Sequence, residues 1–179
     1  MKPTRPNVPV IDNSSDPNGE FPLAPVEYYF YLLGVASRRR DLALGAALAP
    51  TGLSTDQWRA LAVIRRSQGC SMKALALYTA IDRTTLTRTV DQLVRRGYVA
   101  RWTPPEDRRQ VNVALTDEGE AAYLESVQLA IRSNASILDG VDSDRLREAT
   151  LLFQDVLRRL TPNEALADDL VNFLRPPMR

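Results

Sequence analysis

Arginine and threonine side chains recur at helical spacing in one short segment near the middle of the 179-residue chain. When residues are placed at about 100° intervals around a helix axis, the polar ones fall on one stripe. This outward stripe consists of Arg83, Thr84, Thr87, Arg88, Asp91 and Arg95. An arginine can donate two hydrogen bonds to a guanine, and a threonine can offer its hydroxyl to a base or its methyl to thymine. The stripe therefore has the chemistry of a surface that reads DNA bases.

The opposite stripe of the same segment is apolar. Leu86, Val90 and Leu93 lie within one narrow sector, with Val94 at its edge, so this side is predicted to pack inward. Taken alone, a polar stripe opposite such a face is more often only the solvated side of a helix. The sequence that follows the segment decides between the two interpretations.

A charged loop between two predicted strands follows the helix. Tyr98–Trp102 and Val111–Leu115 have the composition of strands, and the loop TPPEDRRQ between them is stiffened by Pro104 and Pro105. The tip of the loop carries Asp107, Arg108 and Arg109. A stiff, basic loop beside a polar helix suits contact with a polyanion, so the loop makes DNA binding the better interpretation.

Two short helices in succession are predicted to position these side chains. Ser71 can cap a first helix that runs through Leu77. After a turn at residues 79–81, Asp82 can cap a second helix, which Gly97 ends. Two such helices followed by a β-hairpin predict a winged helix-turn-helix, with the hairpin as the wing.

Three short motifs occur in order within this region. They are Thr85-Leu86-Thr87-Arg88 in the second helix, Asp107-Arg108-Arg109 in the wing, and Leu115-Thr116 at the step into the next helix. Their order and spacing resemble the signature of the MarR family of bacterial transcription regulators, and the resemblance covers roughly residues 53–123. It implies a homodimeric, usually repressing DNA-binding protein whose affinity for DNA is often tuned by a small ligand.

The predicted DNA contacts lie on the second helix and the wing. They are Arg83, Thr84, Thr87, Arg88, Arg108 and Arg109, with Thr84 and Arg88 as the leading contacts of the helix. The resemblance implies that Arg109, with Arg108 beside it, reaches the minor groove. Asp107 is expected to brace these guanidinium groups, because a carboxylate beside a phosphate is repelled. Two such helices about 34–36 Å apart in a twofold dimer would fit an inverted-repeat operator in double-stranded DNA.

Composition limits the other functions. The formal net charge is only +1, but residues 79–110 hold seven arginines against four carboxylates. The chain has no histidine and a single cysteine, Cys70, which excludes a Cys/His zinc site and a histidine-based catalytic triad. Packing is the favoured role for Cys70, and redox sensing is the alternative. We therefore expect no enzyme, no metal site and no cofactor.

No segment near the N-terminus resembles a signal peptide, and no apolar run approaches the roughly 20 residues that cross a bilayer. A lone cysteine is compatible with a reducing compartment. These features predict a cytoplasmic protein without a membrane partner.

The predicted fold class is mainly α with a small β-hairpin wing. Residues 1–25 contain six prolines and are predicted to be an extended arm. Residues 53–115 are assigned to the winged helix-turn-helix domain, and residues 26–52 and 116–179 to a helical dimerisation region. A helix is predicted at 54–67 within the winged helix-turn-helix domain, and further helices are predicted at 26–48, 116–138, 143–160 and 161–174 in the dimerisation region. Their apolar faces exceed what one small domain can cover, so they are expected to form the dimer interface.

Local capping signals define the starts of two of these helices. Ser54 and Gln57 form a capping box for a helix that is predicted to bury Trp58, Leu61, Ala62 and Ile64. The last helix is predicted to start with Thr161 as its N-cap, followed by a proline at the first helical position and a glutamate at the third.

A site for a small-molecule effector is also predicted. Tyr28, Tyr31, Arg38 and Trp58 are candidates to line a cleft for an aromatic or anionic small molecule, because they combine aromatic walls with a cation. The alternative is that Trp58 belongs to the core and that Arg38 lies on a solvated edge. The sequence does not identify the ligand.

Two rival functions remain open. An enzyme would need catalytic carboxylates, but the acidic groups at 139–144 and 168–169 are better explained by helix capping and solvation. A winged helix can also bind protein instead of DNA, because a fold does not fix a function. A salt-sensitive shift of DNA from upstream of the gene would distinguish the DNA-binding interpretation.

Overall fold

A computed structural model describes residues 25–173. Except for Pro25, the predicted arm lies outside these residues, as does Leu174 at the predicted end of the last helix. The helices are α1 (Pro25–Leu48), α2 (Thr55–Arg66), α3 (Met72–Thr79), α4 (Arg83–Arg95), α5 (Asp117–Ile137), α6 (Ser143–Leu160) and α7 (Glu164–Phe173), with a 3-10 turn at Ala49–Thr51. Residues 25–42 belong to one compact unit and residues 43–173 to a second.

A small antiparallel sheet accompanies the helices, which confirms the predicted fold class. Its strands are β1 (Cys70–Ser71), β2 (Val99–Trp102) and β3 (Asn112–Leu115), in the order β1-β3-β2. The hairpin β2–β3 matches the prediction to within one residue at each start. β1 was not predicted, because two residues carry no alternating pattern and their partner strand lies about forty residues further along the chain.

The unpredicted strand ties the start of α3 to the wing. Cys70 pairs with Val113 and Ser71 with Asn112, and the Met72 amide donates to the Val111 carbonyl at 2.9 Å. The first turn of α3 is therefore held beside β3, so side chains of α3, α4 and the wing share one surface.

Aliphatic side chains from α2, α3, α4 and the sheet form the main core. Leu61, Leu75, Val90, Leu93 and Val113 are completely buried, and burying each such side chain contributes about 1.5–3 kcal/mol. The apolar stripe predicted for α4 is confirmed, because Leu86, Val90 and Leu93 are buried while Val94 is 37% exposed. Burial of this stripe fixes the direction in which the polar stripe points.

The turn between α3 and α4 lies slightly later than predicted. Helix α3 continues past Leu77 to Thr79, whose buried hydroxyl donates to the Leu75 carbonyl at 2.6 Å. The reversal falls on Ala80, which adopts a left-handed backbone with φ of 54°. As predicted, Asp82 caps α4, its carboxylate accepting from the Thr85 amide at 3.0 Å.

Helix α2 begins with the predicted capping box. The Ser54 hydroxyl accepts from the Gln57 amide at 3.1 Å, and the Gln57 side chain accepts from the Ser54 amide at 3.0 Å. The prediction of its buried face is partly wrong: Trp58 and Ala62 are only half-buried. The buried residues of α2 are Gln57, Ala60, Leu61, Val63 and Ile64. Gln57 tolerates burial because its amide donates to the Gln92 side chain at 2.8 Å.

A close backbone contact joins the wing to α5. The Thr116 hydroxyl accepts from the Gly119 amide at 3.0 Å and donates to the Gly97 carbonyl at 2.6 Å, which confirms Thr116 as the cap of α5. A Cβ at Gly119 would lie only 1.9 Å from the Tyr98 carbonyl oxygen. Only glycine allows α5 to begin this close to the start of β2.

The predicted cap of α7 is wrong. Asn163 caps this helix, its side-chain oxygen accepting from the Leu166 amide at 2.9 Å. Thr161 belongs to the end of α6 instead, because its hydroxyl donates to the Leu157 carbonyl at 2.8 Å. The helix accordingly starts at Glu164 rather than immediately after Thr161.

Helix α6 contains no buried residue. Its large apolar side chains are between 36% and 70% exposed: Leu146, Leu151, Leu152, Phe153, Leu157 and Leu160. None of the helices within residues 25–173 is both long enough and apolar enough to span a bilayer.

Candidate nucleic-acid interface

The outward face of α4 carries the predicted contact residues on one exposed surface. Arg83, Thr84, Thr87 and Arg88 are all exposed and together line a shallow groove of about 380 Å³. The Asp82 cap fixes the helix start, and hydrogen bonds from Thr85 hold the pKa of the Asp82 carboxyl below its usual range. A carboxylate that remains charged also stabilises the positive end of the helix.

The threonines of α4 differ in the hydrogen bonds that their hydroxyls have left to make. The Thr87 hydroxyl donates to the Arg83 carbonyl at 2.8 Å, which leaves it only acceptor capacity and a methyl group for DNA. The Thr85 side chain is bonded to Asp82. Within residues 25–173, the Thr84 hydroxyl has no such partner, so Thr84 can both donate to and accept from a base.

The wing tip is shaped by main-chain hydrogen bonds. The Asp107 amide donates to the Pro104 carbonyl at 3.3 Å, and the Gln110 amide donates to the Asp107 carbonyl at 3.1 Å. The Asp107 carboxylate accepts from the Arg109 amide at 3.0 Å. Asp107 therefore braces the turn through the main chain of Arg109; over the described part of the chain it makes no ion pair with a wing guanidinium.

Several arginines of this region have structural partners. Arg65 forms an ion pair with Glu120 at 2.7 Å, and Arg101 pairs with Asp91 at 2.8 Å. Asp91, which the helical wheel placed on the outward stripe, thus connects α4 to β2 rather than facing solvent alone. Sequence analysis missed this pair, because the nine residues between its members include a helix end and a turn.

Arg96 is also structural. Its guanidinium donates to the Gly52 carbonyl at 2.9 Å and lies over the Tyr98 ring, 4.7 Å from the ring centroid. It therefore joins the end of α4 to the loop before α2. Nothing in the sequence indicated these contacts, because Arg96 directly precedes the helix-ending Gly97 and its partner Gly52 is 44 residues away.

The arginines predicted to contact DNA form a different group. Among the residues that the structure describes, none of their guanidiniums makes a hydrogen bond or an ion pair. This group is Arg83, Arg88, Arg108 and Arg109. Long cationic side chains left without partners on one surface can bind an external anion without first breaking an internal ion pair.

Lys73 is a further cation at this surface that the sequence analysis did not select. It lines a cleft of about 520 Å³ together with Thr87, Arg101, Asp107 and Arg109. The signal was present in the sequence, because Lys73 lies in the first turn of the predicted first helix. Its relation to the wing depends on the pairing of β1 with β3, which was not predicted.

The candidate effector residues belong to two separately described units. In residues 25–42, the Tyr28 and Tyr31 rings stack with centroids 6.4 Å apart, and Arg38 is exposed. In the second unit, Trp58 packs against a small buried cluster that includes Leu44. The indole Nε1 is buried without a hydrogen-bond partner in the described structure. Whether these four side chains share a cleft stays a prediction.

Cys70 is half-buried within β1. Burial raises the pKa of its thiol, against a smaller opposing effect of a hydrogen bond with Ser67. A raised pKa lowers the thiolate fraction and with it the nucleophilicity of the sulfur. Packing therefore remains the favoured role for Cys70.

Two consecutive helices, a three-stranded sheet that includes the β-hairpin wing, and an exposed basic surface define a winged helix-turn-helix protein. The model of the MarR family matches residues 51–110. The chain is also 32% identical over 98 residues to the multiple antibiotic resistance protein MarR of Escherichia coli K12, covering 55% of this chain and 68% of that protein. The chain belongs to the MarR family of transcriptional regulators.

Solved structures show the same fold. A crystal structure of a mutant of E. coli MarR complexed with operator DNA matches with a TM-score of 0.68 at 26% identity, over 74% of this chain and 95% of that one. The BpsR protein of Bordetella bronchiseptica matches with a TM-score of 0.67 at 26% identity, over 72% of this chain and 98% of that one. The structure of BpsR concerns regulation of its DNA binding by 6-hydroxynicotinic acid.

Proposed function

We propose that this regulator is a homodimeric repressor that binds an inverted-repeat operator in double-stranded DNA. The observation that carries the proposal is that Arg83, Arg88 and Arg109, whose guanidiniums make no hydrogen bond or ion pair within residues 25–173, lie beside the exposed threonines of α4. Arg65, Arg96 and Arg101 differ from them, because carboxylates or carbonyls hold their guanidiniums. Cations without a carboxylate partner can bind phosphates, and the neighbouring threonines can form hydrogen bonds with base edges.

In the proposed complex, the N-terminal half of α4 enters the major groove. Thr84 and Arg88 contact bases or phosphates there, with Arg83 and Thr87 as neighbouring contacts. The wing carries Arg109, and Arg108 beside it, to the minor groove, where arginine is favoured by the negative potential. The E. coli relative complexed with operator DNA supports DNA as the partner, and a cytoplasmic location is part of the same proposal.

The proposed dimer is supported by the apolar side chains that the single chain leaves exposed on α6. Six large apolar residues on one helix form a patch of the kind that marks a protein interface. We assign residues 26–52 and 116–179 to dimerisation and residues 53–115 to DNA binding. A twofold dimer with α4 helices about 34–36 Å apart would read two half-sites on one side of the duplex.

Repression is proposed to be relieved by a small aromatic or anionic ligand. The BpsR relative, whose DNA binding is regulated by 6-hydroxynicotinic acid, supports a ligand of this class. We propose Tyr28, Tyr31, Arg38 and Trp58 as contacts of the ligand. The unsatisfied indole N–H of Trp58 would favour a ligand with a hydrogen-bond acceptor. A tenfold change in DNA affinity needs about 1.4 kcal/mol of difference in ligand affinity between the two states.

The DNA proposal is tested by selecting operators from a random duplex pool with the full chain, and then measuring affinity by fluorescence anisotropy. We expect one inverted repeat to be enriched. Arg88→Ala together with Arg109→Ala should abolish tight binding while leaving the circular dichroism spectrum unchanged, and Arg132→Ala on α5 serves as the matched control. Failure to enrich any duplex, with and without candidate ligands, would favour a winged helix that binds protein.

A further inference from the structure

A cleft lies between α3 and the wing, and two of the cations that line it make no hydrogen bond or ion pair within the described residues. It has a volume of about 520 Å³, and its lining comes from the first turn of α3, from Thr87 of α4, and from the wing. It lies beside the groove lined by Arg83, Thr84, Thr87 and Arg88, since Thr87 borders both. Any duplex seated on α4 therefore passes this cleft.

Most polar side chains of the cleft are already bonded within the protein. Ser71 accepts from the Ala74 amide, Thr87 donates to the Arg83 carbonyl, Arg101 pairs with Asp91, Asp107 accepts from the Arg109 amide, and Gln110 donates to Asn112. In the described structure, the side chains of Lys73 and Arg109 make no hydrogen bond or ion pair. The unsatisfied side-chain donors of the cleft are thus concentrated in two cations that face it from α3 and from the wing.

The charged side chains of the cleft also favour binding of an anion near Lys73 and Arg109. Arg101 also lines the cleft, but its charge is offset by Asp91 at 2.8 Å. The Asp107 carboxylate lines the cleft too and is held by the main chain of the wing. An anion would therefore be attracted to the α3 side, where Lys73 has no carboxylate partner, and to the free guanidinium of Arg109. Lysine binds phosphate as a compact point charge with three donors, without selecting the base sequence.

We propose that Lys73 binds a phosphodiester of the operator backbone in this cleft, opposite Arg109 of the wing. The contact would fix the position of α4 on the duplex by clamping the strand between α3 and the wing. It would carry no sequence information. The proposal rests on the DNA-binding function proposed above and adds a residue that neither the recognition helix nor the wing contains.

The test compares Lys73→Gln with the wild-type chain on a selected operator and on an unrelated duplex, at several KCl concentrations. Each lost phosphate contact makes the negative slope of log K against log salt less steep by about 0.9. Because a dimer has two Lys73 side chains, its slope should become less steep by about 1.8. Affinity should fall by the same factor for both duplexes. Arg132→Gln, which removes an exposed charge from α5, is the control and should leave the slope unchanged. Lys73→Arg should restore most of the slope.

The other outcomes are distinguishable. If wild-type protein binds no duplex, the proposed function fails before Lys73 is tested. If Lys73→Gln keeps the wild-type slope, the phosphate contact is refuted while DNA binding stands. A loss confined to one base position would mean that Lys73 reads a base, which also refutes it. Retention of the slope with loss of stabilisation by inorganic phosphate in thermal unfolding would instead assign the cleft to a free anion.

Discussion

The winged-helix region and helix α6 use their apolar residues in opposite ways. Between Leu53 and Val113, aliphatic side chains from three helices and the sheet are buried against one another. Along Ser143–Leu160, six large apolar side chains remain exposed and no residue is buried. The first region has the contacts it needs within one chain. The second leaves its apolar side chains exposed in the single chain, which is the observation behind the proposed dimer interface.

The largest expected effect comes from substituting one apolar residue in each of these two regions. Leu93→Ala removes a completely buried side chain from the core and should lower the free energy of unfolding by about 2–5 kcal/mol. Leu151→Glu changes a side chain that is 55% exposed in the single chain. It should leave the helical content intact and, if α6 forms the proposed dimer interface, shift the protein to a monomer. Chemical unfolding and sedimentation velocity measure the two effects.

The comparison would fail if the two variants behaved alike. A dimer unchanged by Leu151→Glu would show that α6 is not the interface, and an unchanged free energy of unfolding in Leu93→Ala would show that the core does not depend on this side chain. Glu148→Gln, an exposed substitution on the same helix, is the control and should change neither property.

The second prediction uses two helical glycines with different surroundings. An added Cβ at Gly119 would meet the Tyr98 carbonyl oxygen at 1.9 Å, whereas one at Gly34 would meet nothing within 4 Å. Gly119→Ala must push α5 away from the wing and should cost about 1–3 kcal/mol. Gly34→Ala should be neutral or stabilise its helix by up to about 1 kcal/mol. Thermal unfolding of both variants measures the difference, and equal melting temperatures would contradict it.

Local signals made much of the winged-helix region predictable from sequence. The helix caps at Ser54, Ser71, Asp82 and Thr116 are short-range hydrogen bonds, and each is formed as predicted. The apolar stripe of α4 is also local, since it depends only on helical period. The prediction for α7 was wrong, because Thr161 was selected as its cap and the structure uses Asn163 instead.

The candidate site was less predictable, because several of its contacts join residues from different helices and strands. The threonines and free arginines follow from the helical wheel and the wing composition. The pair of Asp91 with Arg101, the use of Thr87 for a carbonyl, and the approach of Lys73 to the wing depend on which elements meet. These contacts required the position of β1 against β3, which the sequence did not reveal.

The smallest predicted effect concerns the contact between the winged-helix region and the last described helix. The Tyr78 hydroxyl donates to the Asp169 carboxylate, and the Tyr78 ring stacks on Phe173 with centroids 3.8 Å apart. The hydrogen bond to Asp169 raises the pKa of Tyr78 from 10 to about 12. Tyr78→Phe keeps the stacking and removes the hydrogen bond, so it should cost about 1 kcal/mol at neutral pH.

The pH dependence of this cost identifies its source. Because the folded-state pKa is raised, the bond stabilises the protein fully below the unfolded tyrosine pKa near 10. That stabilisation should disappear as the pH rises from about 10 to about 12, and the unfolding free energies of wild type and Tyr78→Phe should converge there. Tyr123→Phe, whose hydroxyl makes no hydrogen bond among the described residues, is the matched control. A cost of Tyr78→Phe that stays constant across this window would mean that α7 is held by ring stacking alone.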